Sequence, residues 1–494
     1  MPPRRSRPAH LRAALASLLL LPLLPGASPV PAGAQESSRL LRQPTLSADR
    51  VAFTHGGDLW VAPLDGGRAL RLTSTPAVEA DPRFSPDGSR IAFTSNRSGT
   101  DQVYVVSAEG GQPRRLTWYP ASSQARGWSR DGARVLYASS RESAPTGFER
   151  LWTVSVEGGP SEMLPAPWGH SGSWAPDGRR LVVDRMSRWD QEFRDYRGGQ
   201  NTPLVILDTQ TLEETLLPNE DRTTDTHPVW MGDRIYFVSD RDWAYNVWAY
   251  DPATGALEQL TEFSGAEVEH LSGNGELLAL EQDGWIHTLD PESGARRRLD
   301  IEVVGDFPWA ETRWEDVTDR ATDGSLSPTG QRALFSARGE VFTVPVEHGD
   351  PRNLSRTSDA ADRRPVWSPD GARIAWFSDP ADGDQEAGYD LVVAPQDGLG
   401  ELRRIDIGES AMAWEVTWSP DGERIAFVDD DVRIRVVEVD EGRVYTADTG
   451  ATQLERGSMG LTWSPDSRWL AYAKVQPNHF RRIVALDVAS GEAR

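Results

Sequence analysis

The sequence predicts an all-β protein made of many short antiparallel strands, and three observations support this fold class. A turn of the form Ser-Pro-Asp-Gly recurs at intervals of about 41 to 56 residues. Apolar and polar residues alternate on both sides of the turn, which is the period of a β-strand. Beyond the first 34 residues, no segment has the period of a long amphipathic helix. Four short strands in about 40 to 50 residues are typical of a β-propeller blade.

The segment from Val416 to Val428 illustrates how one such turn is built. Pro420 fixes φ at the second turn position, and Gly422 is able to take a positive φ. Ile425 and Phe427 then alternate with polar or small residues, so the segment predicts a β-hairpin. We interpret the motif as a structural turn with no chemistry of its own.

Ten units of this kind follow one another along the chain. Each unit also contains a third strand, a glycine-rich turn such as Asp65-Gly66-Gly67, and a fourth strand. A blade buries its faces only against its neighbours, so the large apolar residues at strand ends are expected in the core. The residues that precede the ten turns are Leu46, Phe84, Trp128, Trp174, Trp230, Leu271, Leu326, Trp367, Trp418 and Trp463.

The number of units predicts two tandem rings, because one propeller ring usually holds about four to eight blades. The repeat rhythm breaks between Ile301 and Asp323, after six units. We therefore expect a six-bladed β-propeller over residues 38–305 and a linker over 306–317. An incomplete second propeller, with four blades present, is expected over 318–494.

The N-terminus has the pattern of a secretory signal peptide over residues 1–34. Four arginines precede the apolar run Leu18 to Leu24, and small residues end the segment at Ala34. Cleavage after Ala34 predicts a periplasmic or secreted protein without membrane insertion once the signal is removed. A retained N-terminal anchor is the alternative interpretation. No later segment has about 18 consecutive apolar residues, the length that a membrane span needs.

Composition limits the classes of partner. The formal net charge is −23, and it becomes about −27 once the four signal arginines are removed. That balance argues against nucleic acid and anionic lipid as partners. Oligopeptides or another protein remain as expected partners, and a homo-oligomer is also compatible with the sequence. The chain has no cysteine, so disulfides, thiolate metal sites and a cysteine nucleophile are excluded.

The sequence contains no recognisable catalytic constellation. The segment Gly169-His170-Ser171-Gly172-Ser173 comes nearest to a nucleophile elbow, but it lacks glycine at the fifth position and leads into a strand. The eight histidines show no spacing typical of a zinc site. We therefore predict no catalytic residue, no metal site and no cofactor in this chain.

Recurring arginines are the candidates for a binding surface. Arg97, Arg141 and Arg241 follow the second strands of their units, where guanidinium groups around one rim could meet a carboxylate. Arg197 lies in an unusually long loop of the fourth unit, from Met186 to Gln200, and long loops on rigid scaffolds often carry function. The competing interpretation is that these arginines form salt bridges between adjacent blades.

Several stretches resemble one known family, the tricorn-type proteases, and specifically the propeller region that precedes their catalytic region. The WD40-like Ser-Pro-Asp-Gly turn alone is shared with TolB-like proteins, propeller-bearing amidohydrolases and prolyl-oligopeptidase relatives, whereas the Tyr-Arg-Gly-Gly stretch and the break after six units are more specific. The resembling stretches are Gly57-Asp58-Leu59-Trp60, Arg114-Arg115-Leu116-Thr117-Trp118-Tyr119-Pro120, Tyr196-Arg197-Gly198-Gly199 and Asp233-Arg234-Ile235-Tyr236-Phe237.

The resemblance implies a noncatalytic region of a serine peptidase that gates or guides oligopeptides. In that family a six-bladed propeller is followed by a seven-bladed one, a PDZ module and two domains with the serine nucleophile and its base. By this resemblance, the catalytic half and about three blades are missing from the chain. The basic pair with which the family holds a substrate C-terminus has no clean match, and Arg126 alone lies in about the corresponding place.

Two further functions stay open at this stage. The chain also has the features expected of a stand-alone TolB-like periplasmic propeller that binds a protein. It is compatible, too, with the N-terminal region of a propeller-bearing amidohydrolase. The export signal departs from the archaeal members of the tricorn family, which are cytoplasmic.

Overall fold

The computed structural model describes residues 38–144, 147–185, 197, 201, 203–307, 316–357, 360–379, 388–408, 412–452 and 455–494. The predicted signal peptide lies outside these residues, as does the loop from Met186 to Gln200 apart from Arg197. In the part of the chain that is described, no helix has the length and apolar content needed to cross a bilayer.

The prediction of an all-β fold is confirmed. The described strands form ten antiparallel sheets and one two-stranded parallel sheet, and in each antiparallel sheet the strands lie side by side in chain order. A short 3-10 helix spans Thr318–Arg320. The chain divides into two compact units: the first runs to Glu262 and resumes over Val268–Asp306, and the second comprises Phe263–Glu267 and Phe307–Arg494.

The first unit contains six four-stranded blades. Blade 1 holds β1 (Arg42–Leu46), β2 (Arg50–His55), β3 (Asp58–Pro63) and β5 (Leu70–Arg71), with β4 (Gly67–Arg68) beside it. Blade 2 holds β6 (Glu79–Phe84), β7 (Arg90–Ser95), β8 (Gln102–Ser107) and β9 (Arg114–Arg115). Blade 3 holds β10 (Ser123–Trp128), β11 (Arg134–Ser139), β12 (Arg150–Ser155) and β13 (Glu162–Met163).

The other three blades of this unit have the same strand order. Blade 4 holds β14 (Ser171–Trp174), β15 (Arg180–Asp184), β16 (Val205–Asp208) and β17 (Glu214–Leu216). Blade 5 holds β18 (Asp225–Met231), β19 (Arg234–Ser239), β20 (Asn246–Tyr250) and β21 (Leu257–Gln259). Blade 6 holds β22 (Val268–Gly273), β23 (Leu278–Gln282), β24 (Trp285–Leu289) and β25 (Arg296–Arg298), followed by β26 (Ile301–Glu302).

The second unit contains four further blades. Blade 7 holds β27 (Ala321–Leu326), β28 (Arg332–Ala337), β29 (Glu340–Pro345) and β30 (Arg352–Asn353). Blade 8 holds β31 (Asp362–Trp367), β32 (Arg373–Ser378), β33 (Asp390–Pro395) and β34 (Arg403–Asp406). Blade 9 holds β35 (Ala413–Trp418), β36 (Arg424–Asp429), β37 (Arg433–Glu438) and β38 (Arg443–Thr449). Blade 10 holds β39 (Thr462–Trp463), β40 (Trp469–Val475) and β41 (Arg481–Asp487).

The recurring turn joins the first two strands of a blade, as its chemistry requires. In blade 9 the Ser419 N–H donates to the Arg424 carbonyl at 2.8 Å, and the Ser419 hydroxyl accepts from the Arg424 N–H at 2.9 Å. Gly422 has a φ of 75°, which glycine adopts without steric penalty. Each turn thereby sets the antiparallel register of its blade.

The hydrophobic core lies between successive blades rather than in one central mass. Phe93 of blade 2 packs against Leu59 of blade 1 on one side of the sheet. Tyr137 of blade 3 packs against Val103 of blade 2 in the next layer. A blade is therefore stable only when its neighbours cover both faces.

The first six blades close into a ring. Arg42 on β1 forms an ion pair of 2.6 Å with Glu281 on β23, and the Leu41 N–H donates to the Gly284 carbonyl at 3.0 Å. Strand β26 also pairs in parallel with β4, placing Ile301 opposite Gly67. Blade 6 therefore seals against blade 1, so that the centre of the ring is enclosed by first strands.

Candidate functional site

A cavity of about 1100 Å³ lies within the six-bladed ring. Residues from all six blades form its wall. They belong to the first strands, to loops between second and third strands, and to loops that lead into the next blade. In an antiparallel blade these loops lie at the end where the first strand begins. We call this end of the ring the entry end.

β-Bulges bring polar side chains to the cavity wall. The first strands of blades 1, 2, 3, 5 and 6 each break register with the second strand. A bulge bends the strand and re-aims a side chain. Three bulge residues have the left-handed φ that is uncommon outside glycine, namely 53° at Gln43, 51° at Asp81 and 52° at His227. The cavity-lining bulge residues are Gln43, Asp81, Arg126, His227 and Glu269.

Asp81 connects the bulges of three successive blades. Its carboxylate lies 3.0 Å from the Arg126 guanidinium, and both side chains are largely buried. Its backbone N–H donates to the Gln43 side-chain oxygen at 2.9 Å. Arg126 then donates from Nε to the His170 carbonyl of blade 4 at 2.8 Å. The predicted candidate Arg126 therefore lies in the cavity, within a hydrogen-bonded arc that spans blades 1 to 4.

Arg83 is a second cation on this arc. Its Nε donates to the Arg126 carbonyl at 3.2 Å, and its Nη1 donates to the Pro82 carbonyl at 2.8 Å. Burial lowers the Arg83 pKa to about 10. The negative charge of Asp81 opposes this shift, and the positive charge of Arg126 adds to it. Arg83 remains protonated at neutral pH and has no ion pair with any carboxylate of the described chain. It is therefore the cation of the wall best placed to receive an anionic ligand.

Glu149 and His170 form a second polar pair in the wall. The Glu149 carboxylate accepts a hydrogen bond from Nδ1 of His170. Burial raises the Glu149 pKa, but the hydrogen bond and the charges of His170 and Arg126 outweigh it, so the pKa lies below its usual value. The pair holds the loop before β12 against the start of β14, beside Phe148 and Trp168, which also line the cavity.

Arg97 and Arg241, two of the candidates, are held in ion pairs inside their own blades. Arg97 contacts Glu79 within blade 2 at 2.5 Å, and Arg241 contacts Asp225 within blade 5 at 2.7 Å. Both carboxylates are buried, and burial raises the pKa of Glu79 and brings that of Asp225 to about 6. These pairs fix each second-strand loop to the first strand of the same blade, not to a neighbouring blade.

Arg141 and Arg197 are also engaged by the protein itself. Arg141 lies over the rings of Tyr119 and Trp152, at 4.5 and 4.3 Å from their centroids. Blade 3 has serine at position 123, where blade 2 has Glu79, and Arg141 instead pairs with the adjacent Glu142 at 3.1 Å. Arg197 pairs with Asp240 at 2.7 Å and covers the Trp243 ring. Neither arginine lines the cavity.

Ser171 lies in the cavity wall, but its surroundings are not those of a nucleophile. Its hydroxyl lies 3.4 Å from the Asp184 carboxylate. The neighbouring His170 directs Nδ1 to Glu149 and has Nε2 3.4 Å from Arg126. No group of three or more His, Asp or Glu side chains in the described ranges is arranged to hold a metal ion.

Sequence reasoning missed Arg83, Glu149 and the bulge residues other than Arg126. The sequence does mark the bulge positions. Each recurring turn is preceded by a large apolar residue, and the bulge residue stands two or three positions before that apolar residue. Asp81 precedes Phe84 by three positions, and Arg126 precedes Trp128 by two. A polar residue at that position therefore marks a side chain at the centre of the ring.

Comparison with known proteins gives the family of the chain. The sequence model described as the tricorn protease N-terminal β-propeller domain matches residues 38–295. Tricorn protease homolog 1 of Streptomyces coelicolor is 33% identical over 460 residues, which covers 90% of this chain and 41% of that protein. The chain thus spans about two-fifths of the length of this relative.

Two further comparisons concern the fold and the repeat. The crystal structure of the tricorn protease aligns with a TM-score of 0.52 at 20% identity, covering 92% of this chain and 44% of that one. A TolB homolog of Chlorobium luteolum is 34% identical over 59 residues, which is 12% of this chain and 14% of that protein. The family match covers more than half of the chain and coincides with the closed six-bladed ring. The chain belongs to the family of the tricorn protease N-terminal β-propeller domain.

Proposed function

We propose that this chain is a noncatalytic, peptide-handling region of a tricorn-type serine peptidase. In this proposal the six-bladed ring binds oligopeptides in its cavity and guides them to or from a catalytic site that lies outside the 494 residues. Membership of the family and the size of the cavity support the proposal. A volume of about 1100 Å³ is enough for several residues of an extended peptide.

The observation that carries the proposal is Arg83, a cation in the cavity wall without a carboxylate partner in the described chain. A guanidinium binds a carboxylate with two parallel hydrogen bonds, so the C-terminal carboxylate of a peptide is a fitting ligand. Arg126 lies beside Arg83 and adds positive charge at the same place.

The acids around the cavity do not oppose this assignment. Of the five acids that line the cavity, four contact a cation or a protonatable ring of the protein as follows, which reduces the repulsion that a peptide carboxylate would meet. The four contacts are Glu79 with Arg97, Asp81 with Arg126, Glu149 with His170 and Glu281 with Arg42.

Calorimetric titration tests the proposal with two tetrapeptides of the same sequence, one with a free C-terminal carboxylate and one with an amide. The free acid is expected to bind about tenfold more tightly, since a charge-assisted hydrogen bond contributes about 1.5 to 3 kcal/mol. Arg83→Gln removes that preference. Arg130→Gln changes an exposed arginine outside the cavity and keeps the preference. Equal binding of acid and amide, or no binding of either, contradicts the proposal.

Export is part of the same proposal. Removal of residues 1–34 would place the ring outside the cytoplasm, where it would meet peptides of that compartment. Mass measurement of the mature protein tests this, and an N-terminus at Gln35 is expected. An N-terminus at Met1, in protein recovered from the cytoplasm, contradicts it.

A TolB-like, protein-binding propeller is the second candidate function. The 59-residue likeness to the TolB homolog favours it, although that likeness covers one or two blades only. Affinity capture from the extracytoplasmic fraction separates the two functions. A stoichiometric protein partner, together with no peptide binding, would favour the second candidate.

A further inference from the structure

Two aromatic side chains stand together at the entry end of the cavity. Phe148 belongs to the loop between the second and third strands of blade 3, and Trp168 to the loop that leads from blade 3 into blade 4. Their ring centroids are 6.2 Å apart, with the planes inclined by 58°. Both residues line the cavity, and Trp168 is 45% exposed, while the Arg150 guanidinium lies 5.2 Å from the centroid of the Phe148 ring. An apolar surface of this kind inside a cavity favours contact with an apolar ligand group.

The aromatic pair lies on the same arc of the wall as the two cations. Arg83 donates to the Arg126 carbonyl, and Arg126 donates to the carbonyl of His170. Trp168 precedes His170 by two residues. Phe148 directly precedes Glu149, whose carboxylate binds the ring of His170. One ligand of a few residues could therefore contact the cations and the aromatic rings together.

Trp168 differs from other exposed tryptophans of the ring. Trp118 is 73% exposed and is covered by the guanidinium of Arg115 at 4.3 Å from its ring centroid. Trp243 is 64% exposed and is covered by Arg197 at 4.4 Å. No arginine of the described residues stacks on Trp168. Its indole face is left for a ligand, whereas the other two faces are occupied by the protein itself.

We propose that Phe148 and Trp168 form a specificity subsite for an aromatic or large aliphatic side chain of the bound peptide. This inference rests on the proposed peptide-binding function and adds the class of peptide. The preferred ligand is a short peptide whose carboxylate meets Arg83 while an apolar side chain a few residues away packs on the two rings. Packing of an aromatic side chain against the two rings removes apolar surface from water.

The test uses five tetrapeptides with free carboxylates, namely the all-alanine peptide and the four peptides with one phenylalanine at each position in turn. Their affinities for the full chain are measured by calorimetric titration. At least one phenylalanine peptide is expected to bind about tenfold more tightly than the all-alanine peptide. Trp168→Ala and Phe148→Ala each reduce this gain to about threefold or less.

Trp118→Ala is the matched control, because it removes an exposed tryptophan from the corresponding loop between blades 2 and 3, outside the cavity. It is expected to keep the tenfold gain. Unchanged binding of the all-alanine peptide to each variant shows that the cavity is still folded. Retention of the gain in both cavity variants, or equal binding of all five peptides, overturns the inference and leaves the proposed function standing. Failure of every peptide to bind overturns both.

Discussion

The carboxylate of Asp81 lies 3.0 Å from the guanidinium of Arg126, and the pair joins the first strands of blades 2 and 3 at the cavity wall. The same relationship recurs in the second unit, where Asp323 of blade 7 lies 3.0 Å from Arg364 of blade 8. In each pair the acid stands in the bulge of one first strand, and the arginine stands in the bulge of the next. The bulges therefore have a structural role, because they link successive blades through charged side chains.

Arg126→Ala is expected to destabilise the six-bladed ring by about 3 kcal/mol, because it leaves the largely buried Asp81 carboxylate without its cation. Urea denaturation followed by tryptophan fluorescence measures the change. Arg234→Ala is the control, since it removes an exposed ion pair between Arg234 and Glu258 within blade 5. It is expected to cost less than about 1 kcal/mol. Equal effects of the two substitutions would contradict a structural role of the bulge pair.

Gly66→Ala is expected to weaken the closure of the ring. Gly66 has a φ of 95°, and a Cβ atom there would lie 2.7 Å from the Asp300 carbonyl oxygen, next to the parallel strand β26. Gly158 occupies the corresponding turn of blade 3 with a φ of 88° and has open space around it. Gly158→Ala should cost about 1 to 2 kcal/mol, the usual penalty of left-handed backbone. Thermal unfolding should show about twice that loss for Gly66→Ala, and equal losses would exclude a specific role in closure.

Asp225 gives a pH dependence of defined sign. Burial raises its pKa from 3.8 to about 6, so between these values the folded state binds more protons than the unfolded state. The protonated Asp225 carboxyl therefore contributes its full share to the free energy of unfolding below about pH 4, and this share is lost as the pH rises through 6. Asp225→Asn should therefore gain stability relative to the native protein between pH 4 and 7, by up to about 3 kcal/mol.

Asp251→Asn is the control for this titration. The hydrogen bond from Thr254 lowers the Asp251 pKa, so its contribution is present above about pH 4 and is lost as the pH falls further. Its stability relative to the native protein should stay constant between pH 4 and 7. Denaturation curves at four pH values in this range measure both differences. A constant difference for Asp225→Asn as well would show that the carboxylate titrates normally in the folded protein.

The purified chain is expected to show no peptidase turnover. The ring nitrogens of His170 face Glu149 and Arg126, so the histidine is not arranged as a base for Ser171. A fluorogenic peptide assay checks this expectation. Hydrolysis that disappears in Ser171→Ala and persists in Ser173→Ala would contradict it and would place a nucleophile in the cavity.

The fold was predictable because the repeat carries its own turn chemistry. Ser419, Pro420 and Gly422 specify a hairpin locally, and the same stretch is repeated often enough to count blades. The number of units before the rhythm breaks also agrees with the closed ring. Closure itself was not predictable in detail, because the contact between Arg42 and Glu281 joins residues 239 positions apart without any shared motif.

The candidate site was predictable only in part. Arg126 is indicated by the family resemblance, whereas Arg83 stands one residue before the core residue Phe84, where the alternation of a strand carries no sign of a cavity residue. Arg97 and Arg241 were selected because they recur, and they recur because each neutralises a buried acid in its own blade. A recurring charged residue in a repeat protein therefore often serves the repeat, while the cavity is lined by residues that vary from blade to blade.

Photocrosslinking gives the most direct test of the central claim, which is that peptides bind inside the six-bladed ring on the arc of Arg83 and Arg126. A tetrapeptide with a benzophenone side chain and a free carboxylate is irradiated with the protein, and the modified segments are identified by mass spectrometry. We expect crosslinks within residues 78–84, 124–126, 147–149 and 168–171, and we expect an unlabelled peptide to suppress them. Crosslinks confined to the outer strands β9, β13, β17 and β25 or to the second unit would contradict the account.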